Sequence, residues 1–439
     1  MGLTCLLAWL ALPAAAAEVA PPVIGGELGL DEAVDLALRH NHGLQSAMEE
    51  IERANGIVQY AYGHAIPRVT VNGRYTHNDE AAGFEQDGIL FELGVKDNYY
   101  VDLTIEQPLY QGGIPLWTSR RVSQLLREQA DDDVSTATRE TVYAAVRAYY
   151  DVLLLQEEVG VLERFEELAR THLRDVEVKR RYGVASDFNV LRSQVSLSNA
   201  TTSLISRRNA LQQARLGLYR TLGVAQSSDV ELTGEMSYVP VELDESALIA
   251  EALASRTELS SAEAAAGLQE ENFLQARRER LPEARLFFDH IWSSPDPTIM
   301  NSEDWGSTWR GGFAMSIPLF DLSRKGQVRQ ERAALNQLEI MVRDTTERIR
   351  FEVRAAILAV RNAAQAVAAQ EKTLEQASEG LRLAEVGYRE GTLDQVSVLE
   401  ARVALTESQL LYYGSLHAHA TAILDLQRAT GTLGAVDSF

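Results

Sequence analysis

Two hydrophobic rhythms run along the chain, and each predicts one kind of element. Ile349, Val353, Ala356, Val360, Ala363, Val367, Gln370, Leu374, Ala377, Leu381, Ala384 and Tyr388 follow one another in alternating steps of four and three, the seam of a coiled coil. Val152, Leu155, Val159 and Leu162 keep the same step earlier in the chain. The many alanines predict closely packed helices. No proline falls between Trp117 and Val239, and none after Pro318. An interior proline costs a helix ~3 kcal/mol, so both tracts are free to form very long helices. At ~1.5 Å per residue, the tract from Trp117 to Tyr182 would extend on the order of 100 Å.

The second rhythm has a period of two. Val69, Val71, Gly73 and Tyr75 alternate with Arg68, Thr70, Asn72, Arg74 and Thr76. Tyr99, Val101, Leu103 and Ile105 alternate with Tyr100, Asp102, Thr104 and Glu106. Farther on, Trp309, Gly311, Phe313, Met315 and Ile317 alternate with Thr308, Arg310, Gly312, Ala314 and Ser316, while Ala284 to Trp292 alternates less cleanly. These segments predict strands near 68–77, 99–107, 284–292 and 308–317, with Pro67/Pro108 and Pro282/Pro318 as brackets. Apolar-out, polar-in strands of ~9–11 residues are the pattern of a transmembrane β-barrel. Trp292, Trp305 and Trp309 fall in one such hairpin, as an interfacial aromatic girdle would require.

The two rhythms occur twice. Asn41-His42-Gly43-Leu44 aligns with Arg256-Thr257-Glu258-Leu259, Pro67 with Pro282, Gln107-Pro108-Leu109-Tyr110 with Ile317-Pro318-Leu319-Phe320, Gly183 with Gly391, and Leu222-Gly223 with Thr430-Gly431. All lie at a near-constant offset of about 210 residues, the mark of an internal duplication. The expected organisation is a first repeat over 28–224, a linker over 225–242 and a second repeat over 243–433. An amino-terminal extension at 18–27 and a tail at 434–439 flank them. Four strands are too few to close a membrane barrel, for which the smallest count is about eight. The chain must therefore share its barrel with other copies; two would supply eight strands and three would supply twelve.

Residues 1–17 read as a secretory signal. Leu6 to Leu12 form a short apolar core, Pro13 breaks it, and Ala15-Ala16-Ala17 offers a small-residue cleavage site, although no Lys or Arg precedes the core. Cys5, the single cysteine, falls inside this segment, too early for a lipoprotein acylation site, so the mature chain would have no thiol or disulfide. The formal net charge of −22 repels nucleic acid and sets that partner class aside. No later stretch approaches the ~20 apolar residues of a spanning helix, which leaves a closed β-barrel as the route across a membrane.

Two motifs, each present twice, carry a family resemblance. Pro108-Leu109-Tyr110-Gln111-Gly112-Gly113 and Pro318-Leu319-Phe320-Asp321 follow the strand hairpins. The long helices turn at Gly183-Val184-Ala185-Ser186-Asp187-Phe188-Asn189-Val190-Leu191 and at Tyr388-Arg389-Glu390-Gly391-Thr392-Leu393-Asp394-Gln395-Val396-Ser397-Val398-Leu399. Over nearly the whole mature chain this plan resembles the TolC-like outer-membrane efflux protein family. The resemblance implies a mainly α fold with a β hairpin in each of two repeats. It also implies assembly as a homotrimer, with a 12-stranded outer-membrane β-barrel continued by a long periplasmic α-helical coiled-coil barrel. It further implies a passive trans-periplasmic exit duct for a tripartite efflux or type I secretion system. The partners are a periplasmic adaptor (membrane fusion) protein, an inner-membrane pump and outer-membrane lipid.

In that family the helix-hairpin turns close the duct at its periplasmic tip. By resemblance the tip residues here are Gly183, Asn189, Arg192, Tyr388, Gly391, Asp394 and Glu400, with Tyr388 on the family's tip tyrosine and Glu400 on a constriction acid. Two positions depart from the pattern: the tip arginine is Leu393 and another constriction acid is Ser397. Arg192 occupies the first-repeat site equivalent to Glu400, so the two are expected to pair across neighbouring hairpins. A ring of Glu400 carboxylates would favour cations.

Enzymatic chemistry has little to rest on. The eight histidines are dispersed, and His417 and His419, two apart, point to different faces of a helix. No Gly-rich phosphate loop, zinc-ligand cluster or nucleophile elbow is present, so neither cofactor nor metal is expected. Asp131-Asp132-Asp133 reads as a solvated helix face. The competing reading is a trimeric structural coiled-coil or adhesin-like envelope protein without transport activity. Two amphipathic hairpins in register argue against it, since a stalk needs one anchor.

Overall fold

Both proline-free tracts are helical along nearly their whole length. The computed structural model describes residues 20–63, 66–80, 83–86, 89–92, 95–111, 116–296, 298–299 and 304–433. The expected signal at 1–17, Gly112-Gly113 and the tail at 434–439 lie outside the described residues. Helix α1 (Leu30–His40) and α2 (His42–Gly63) have 11 and 22 residues, and so do α5 (Glu245–Ser255) and α6 (Thr257–Arg278). Helices α3 (Leu116–Arg181) and α4 (Asp187–Leu222) have 66 and 36 residues, against 68 and 36 for α7 (Leu322–Arg389) and α8 (Gln395–Thr430). The duplication is thus written in element lengths as well as in motifs. Both α4 and α8 end on a left-handed glycine, Gly223 at φ +71° and Gly431 at φ +74°, which caps the last carbonyls of each helix.

The chain divides into two compact units. One draws on Met1–Gln45, Ala137–Ala252 and Glu352–Phe439, the other on Ser46–Thr136 and Leu253–Phe351.

The second unit carries the main sheet, β2 (Arg68–His77), β5 (Asp97–Gln111), β7 (Glu283–Ser294) and β8 (Gly306–Ser316), in the order β2-β5-β7-β8. All three pairings are antiparallel, and β5–β7 joins the hairpin of one repeat to that of the other. The register aligns Val71, Leu103, His290 and Trp309 in one row and Thr70, Thr104, Asp289 and Arg310 in another. Side chains alternate across a sheet, so one face carries Val69, Val71, Tyr75, Tyr99, Leu286, Phe288, Trp309, Phe313 and Met315, all exposed. Aromatic rings cluster on it: Tyr75 lies 5.0 Å from Tyr99, Tyr99 6.1 Å from Trp305, and His290 stacks on Trp292 at 4.0 Å. The opposite face is polar and cross-linked. Asn72 Nδ2 donates to Asp102 at 3.0 Å, the Thr104 hydroxyl lies 3.0 Å from Asp289, and Arg310 Nε donates to Asp289 at 2.7 Å.

Three features differ from the sequence-based expectation. Strand β5 runs through Pro108 instead of stopping there, with a register shift between Pro108 and Tyr110. Its pairing with β2 ends at Glu106 opposite Arg68, so Pro108 has one neighbour and its missing N–H interrupts no second ladder. The segment between β2 and β5 holds its own short hairpin, β3 (Gly83–Gln86) with β4 (Ile89–Glu92). The expected extension and linker are also structured: β1 (Gly25–Leu28) pairs in parallel with β6 (Asp229–Leu232).

That parallel pair belongs to the first unit and sits on its core. Leu28, Val230 and Leu232 pack with Ala33, Ala37, Tyr149, Val152, Leu218 and Leu222. The Tyr149 hydroxyl donates to the Leu28 carbonyl and accepts from the Gly234 N–H, both at 3.2 Å. Asn41 joins α1 to the end of α4 by donating to the Thr221 carbonyl at 2.8 Å. Its Oδ1 accepts from the N–H groups of Gly43 and Leu44 at 2.8 and 3.1 Å, capping the first turn of α2. Of the helical seam, Ile349, Val353, Ala356, Val360, Ala363, Val367 and Ala384 are buried, while Leu374, Ala377 and Leu381 are half-buried.

Tyr149→Phe removes one hydroxyl and leaves the Gly234 N–H without its partner, while the Leu28 carbonyl keeps the Thr233 N–H at 3.3 Å. Leaving a buried polar group unsatisfied costs ~1–3 kcal/mol, so this variant should unfold at measurably lower urea concentration, followed by far-UV circular dichroism in detergent. A midpoint equal to wild type would show that β1 and β6 do not depend on this bridge. Gly223→Ala should be more damaging, because a Cβ there would lie 2.1 Å from the His40 carbonyl oxygen.

Candidate functional site: the tips of the two helix pairs

Both long helix pairs reverse direction by the same local chemistry. Gly183 and Gly391 each adopt φ +76°, a conformation in which a Cβ is strained. The Gly183 and Val184 N–H groups donate back to Arg180 and Lys179, and the Gly391 and Thr392 N–H groups to Tyr388 and Gly387. The helix that follows is capped from its own sequence. Ser186 Oγ accepts from the Asn189 N–H at 3.2 Å, and Asp394 Oδ1 accepts from the Ser397 N–H at 2.9 Å and its hydroxyl at 2.7 Å. These contacts hold the Asp394 carboxyl below the usual carboxylate range, the Ser397 N–H first among them. Asn189 thus enters the site as a main-chain donor in the first turn of α4. Ser397, where the family pattern has an acid, completes the cap of α8.

Leu393, where the family pattern has arginine, folds back over the turn. Its N–H donates to the Gly387 carbonyl at 3.1 Å. A Cβ on Gly387 would meet the Leu393 Cδ1 at 2.8 Å, so only glycine leaves room for this packing. The tip of the second helix pair is therefore closed on itself by an apolar side chain.

At the tips, among the described residues, three polar contacts join the two helix pairs. Lys179, in the last turn of α3, donates from Nζ to the Tyr388 hydroxyl at 2.6 Å and lies 4.8 Å from the centre of its ring. His172, about two turns earlier on α3, accepts at Nε2 from the side-chain amide of Gln395 at 2.6 Å. Arg402 of α8 reaches Glu385 of α7 at 3.0 Å and stands beside the His172 ring. Arg192 of α4 and Glu400 of α8 approach to 4.0 Å, the outer limit of an ion pair, with Glu400 72% exposed. An exposed pair of that length contributes little to stability, ~0–1 kcal/mol. Arg180 and Asp187 pair across the first turn itself.

The structure thus brings Tyr388, Arg192 and Glu400 to the meeting of the two tips, while Gly183, Gly391, Asp394 and Asn189 shape the turns. Sequence reasoning missed Lys179, His172 and Gln395. A signal existed for the first two: they lie on one face of α3, at the spacing of successive turns. His417 and His419 have structural partners instead. His417 lies 2.8 Å from Asp151, and buried His419 donates to the Val239 carbonyl at 2.9 Å. Among the described residues no group of His, Cys, Asp and Glu side chains could hold a metal ion, and no helix is long and apolar enough to cross a membrane.

Comparison with known proteins places this geometry in context. CyaE of Bordetella pertussis is 22% identical over 72% of this chain and 65% of its own length, so the matched part falls just short of two thirds of that protein. The cobalt-zinc-cadmium resistance protein CzcC of Cupriavidus metallidurans is 21% identical over 94% of this chain and 92% of its own. The crystal structure of the CmeC outer membrane channel of Campylobacter jejuni superposes with a TM-score of 0.76 at 16% identity, covering 92% of this chain and 85% of that one. Residues 33–224 and 248–432 match the family described as outer membrane efflux protein. With both halves matched, the chain belongs to the outer membrane efflux protein family.

Proposed function

We propose that the protein is one subunit of a homotrimeric outer-membrane channel, a passive exit duct that receives cargo from an inner-membrane pump through a periplasmic adaptor. The observation that carries this reading is the open four-stranded sheet with one exposed apolar face. In lipid every backbone N–H and C=O needs a partner, and the outer edges of β2 and β8 have none within the sheet. Because β2 and β8 run antiparallel to each other, β8 of one copy can pair with β2 of the next and continue the same ladder. Head-to-tail pairing of this kind closes a ring. Three copies give twelve strands, with the polar face of Asp102, Asp289 and Arg310 lining the lumen and the aromatic face toward lipid.

The helices support the same assembly. Phe188, Leu191, Val195, Ile205 and Leu216 of α4 fall on one heptad seam, yet all are exposed in the single chain, Phe188 at 68%. A coiled-coil seam without a partner helix is incomplete, and a neighbouring copy would complete it. At the periplasmic tip, Tyr388 with Lys179 and Arg192 with Glu400 hold the resting duct closed, and the adaptor releases them. The cargo is selected by the pump and adaptor, as one duct fold serves many cargoes.

The purified protein should run as a heat-modifiable oligomer and give steady conductance in planar bilayers; a monomer without conductance would sink the reading. Leu191→Asp with Val195→Asp should cut the oligomer fraction sharply in the same gel. Tyr388→Phe removes an acceptor of a charged donor, a bond worth ~1.5–3 kcal/mol, so its closed-state leak should rise about tenfold or more. Glu400→Gln should lower cation selectivity; unchanged selectivity and leak would remove Glu400 from the gate.

A further inference from the structure

His172 is a half-buried imidazole whose polar side-chain contact, among the described residues, is an amide donor. Gln395 Nε2 lies 2.6 Å from the ring Nε2, an amide donor placed against the accepting nitrogen of a neutral ring. The charged groups around it are arranged against protonation. Arg402 of α8 and Lys179 of α3 both disfavour the imidazolium, and Asp175 of α3 alone offsets them. Each of those cations is held in place by α7, Arg402 by Glu385 and Lys179 by Tyr388. The bond itself joins α3, in the first helix pair, to the first residue of α8, in the second.

We propose that His172 and Gln395 form a proton-sensitive clasp between the two helix-pair tips, which holds the tip shut at neutral pH and lets go as the periplasm acidifies. The proposal rests on the reading of these tips as the closed end of the duct. Protonation gives the ring a second N–H where it now accepts, and sets a charge beside Arg402 and Lys179. Turning the Gln395 amide over would restore the bond but not remove that charge from a half-buried site. Burial first, and Arg402 second, already push the His172 pKa below the ordinary value of 6.5. The sign follows from this depression. In an opened tip the ring is solvated and titrates near 6.5, whereas in the closed tip it stays neutral to lower pH. The clasp is therefore complete above about pH 6.5 and weakens as pH falls from there to the depressed value, by up to about tenfold in closed-to-open ratio per pH unit and per copy.

The test is the conductance of the full-length oligomer in planar bilayers between pH 7.5 and 5.0, for wild type, His172→Gln and Gln395→Glu. The wild type should open as pH falls. His172→Gln keeps a neutral acceptor and should lose this response. Gln395→Glu offers a carboxylate to the imidazolium and should reverse it, tightening the tip in acid; a purely structural role for His172 would not change the sign. If the wild type conducts but is indifferent to pH, or if His172→Gln keeps the wild-type profile, the clasp is wrong and the duct stands. If no variant conducts at any pH, including Tyr388→Phe combined with Lys179→Met, the duct reading fails and the clasp with it.

Discussion

Everything in this molecule that concerns a membrane depends on the outer edges of β2 and β8. The sheet is complete inside, with three antiparallel ladders in register, and unfinished outside. Water can satisfy such edges and a hydrocarbon core cannot. A chain with an apolar sheet face and two open edges is therefore stable in lipid only as part of a ring. The duplication makes the ring possible at small cost in sequence: two like hairpins, joined through β5 and β7, leave outer strands of opposite direction that fit one another.

The helical unit meets a related constraint by different means. Its core is built where the two ends of the first repeat come together. Tyr149, Leu28 and Val230 pack there beneath a parallel strand pair. Away from that core the helices are held by narrow seams rich in alanine and by single polar contacts. Between the tips the contacts among the described residues thin further, to one lysine–tyrosine bond, one histidine–amide bond and one ion pair. A region held by so few interactions opens at low cost.

The periodicities made the long helices and the four main strands legible in the sequence, because burial on one face leaves a mark in residue order. Three kinds of feature left no such mark. Strands β1 and β6 are four residues each, too short for an alternation to register, and their partner lies in the other's distant segment. Strand β5 passes through Pro108 because its neighbour β2 has already ended, a fact of pairing and not of composition. At the tip, Tyr388, Arg192 and Glu400 could be placed by resemblance to a motif. Lys179 and His172 share one face of α3, but that spacing does not say which side chains of the partner helices they meet. Leu393 and Ser397 looked like losses against the family pattern. In the fold one packs over Gly387 and the other caps α8.

The parallel pairing of β1 with β6 imposes an order in time. Ile24 N–H is bonded to Ser228 Oγ across 204 residues of chain, and no nearer segment offers β1 a partner. A chain synthesised from its amino terminus at roughly 5–20 residues per second makes that partner on the order of 10–40 s later. During that interval β1 has no strand to pair with. The core of the first repeat is thus not sealed until the segment that follows it has been made, which makes residues 229–232 the lock on a half-molecule already synthesised.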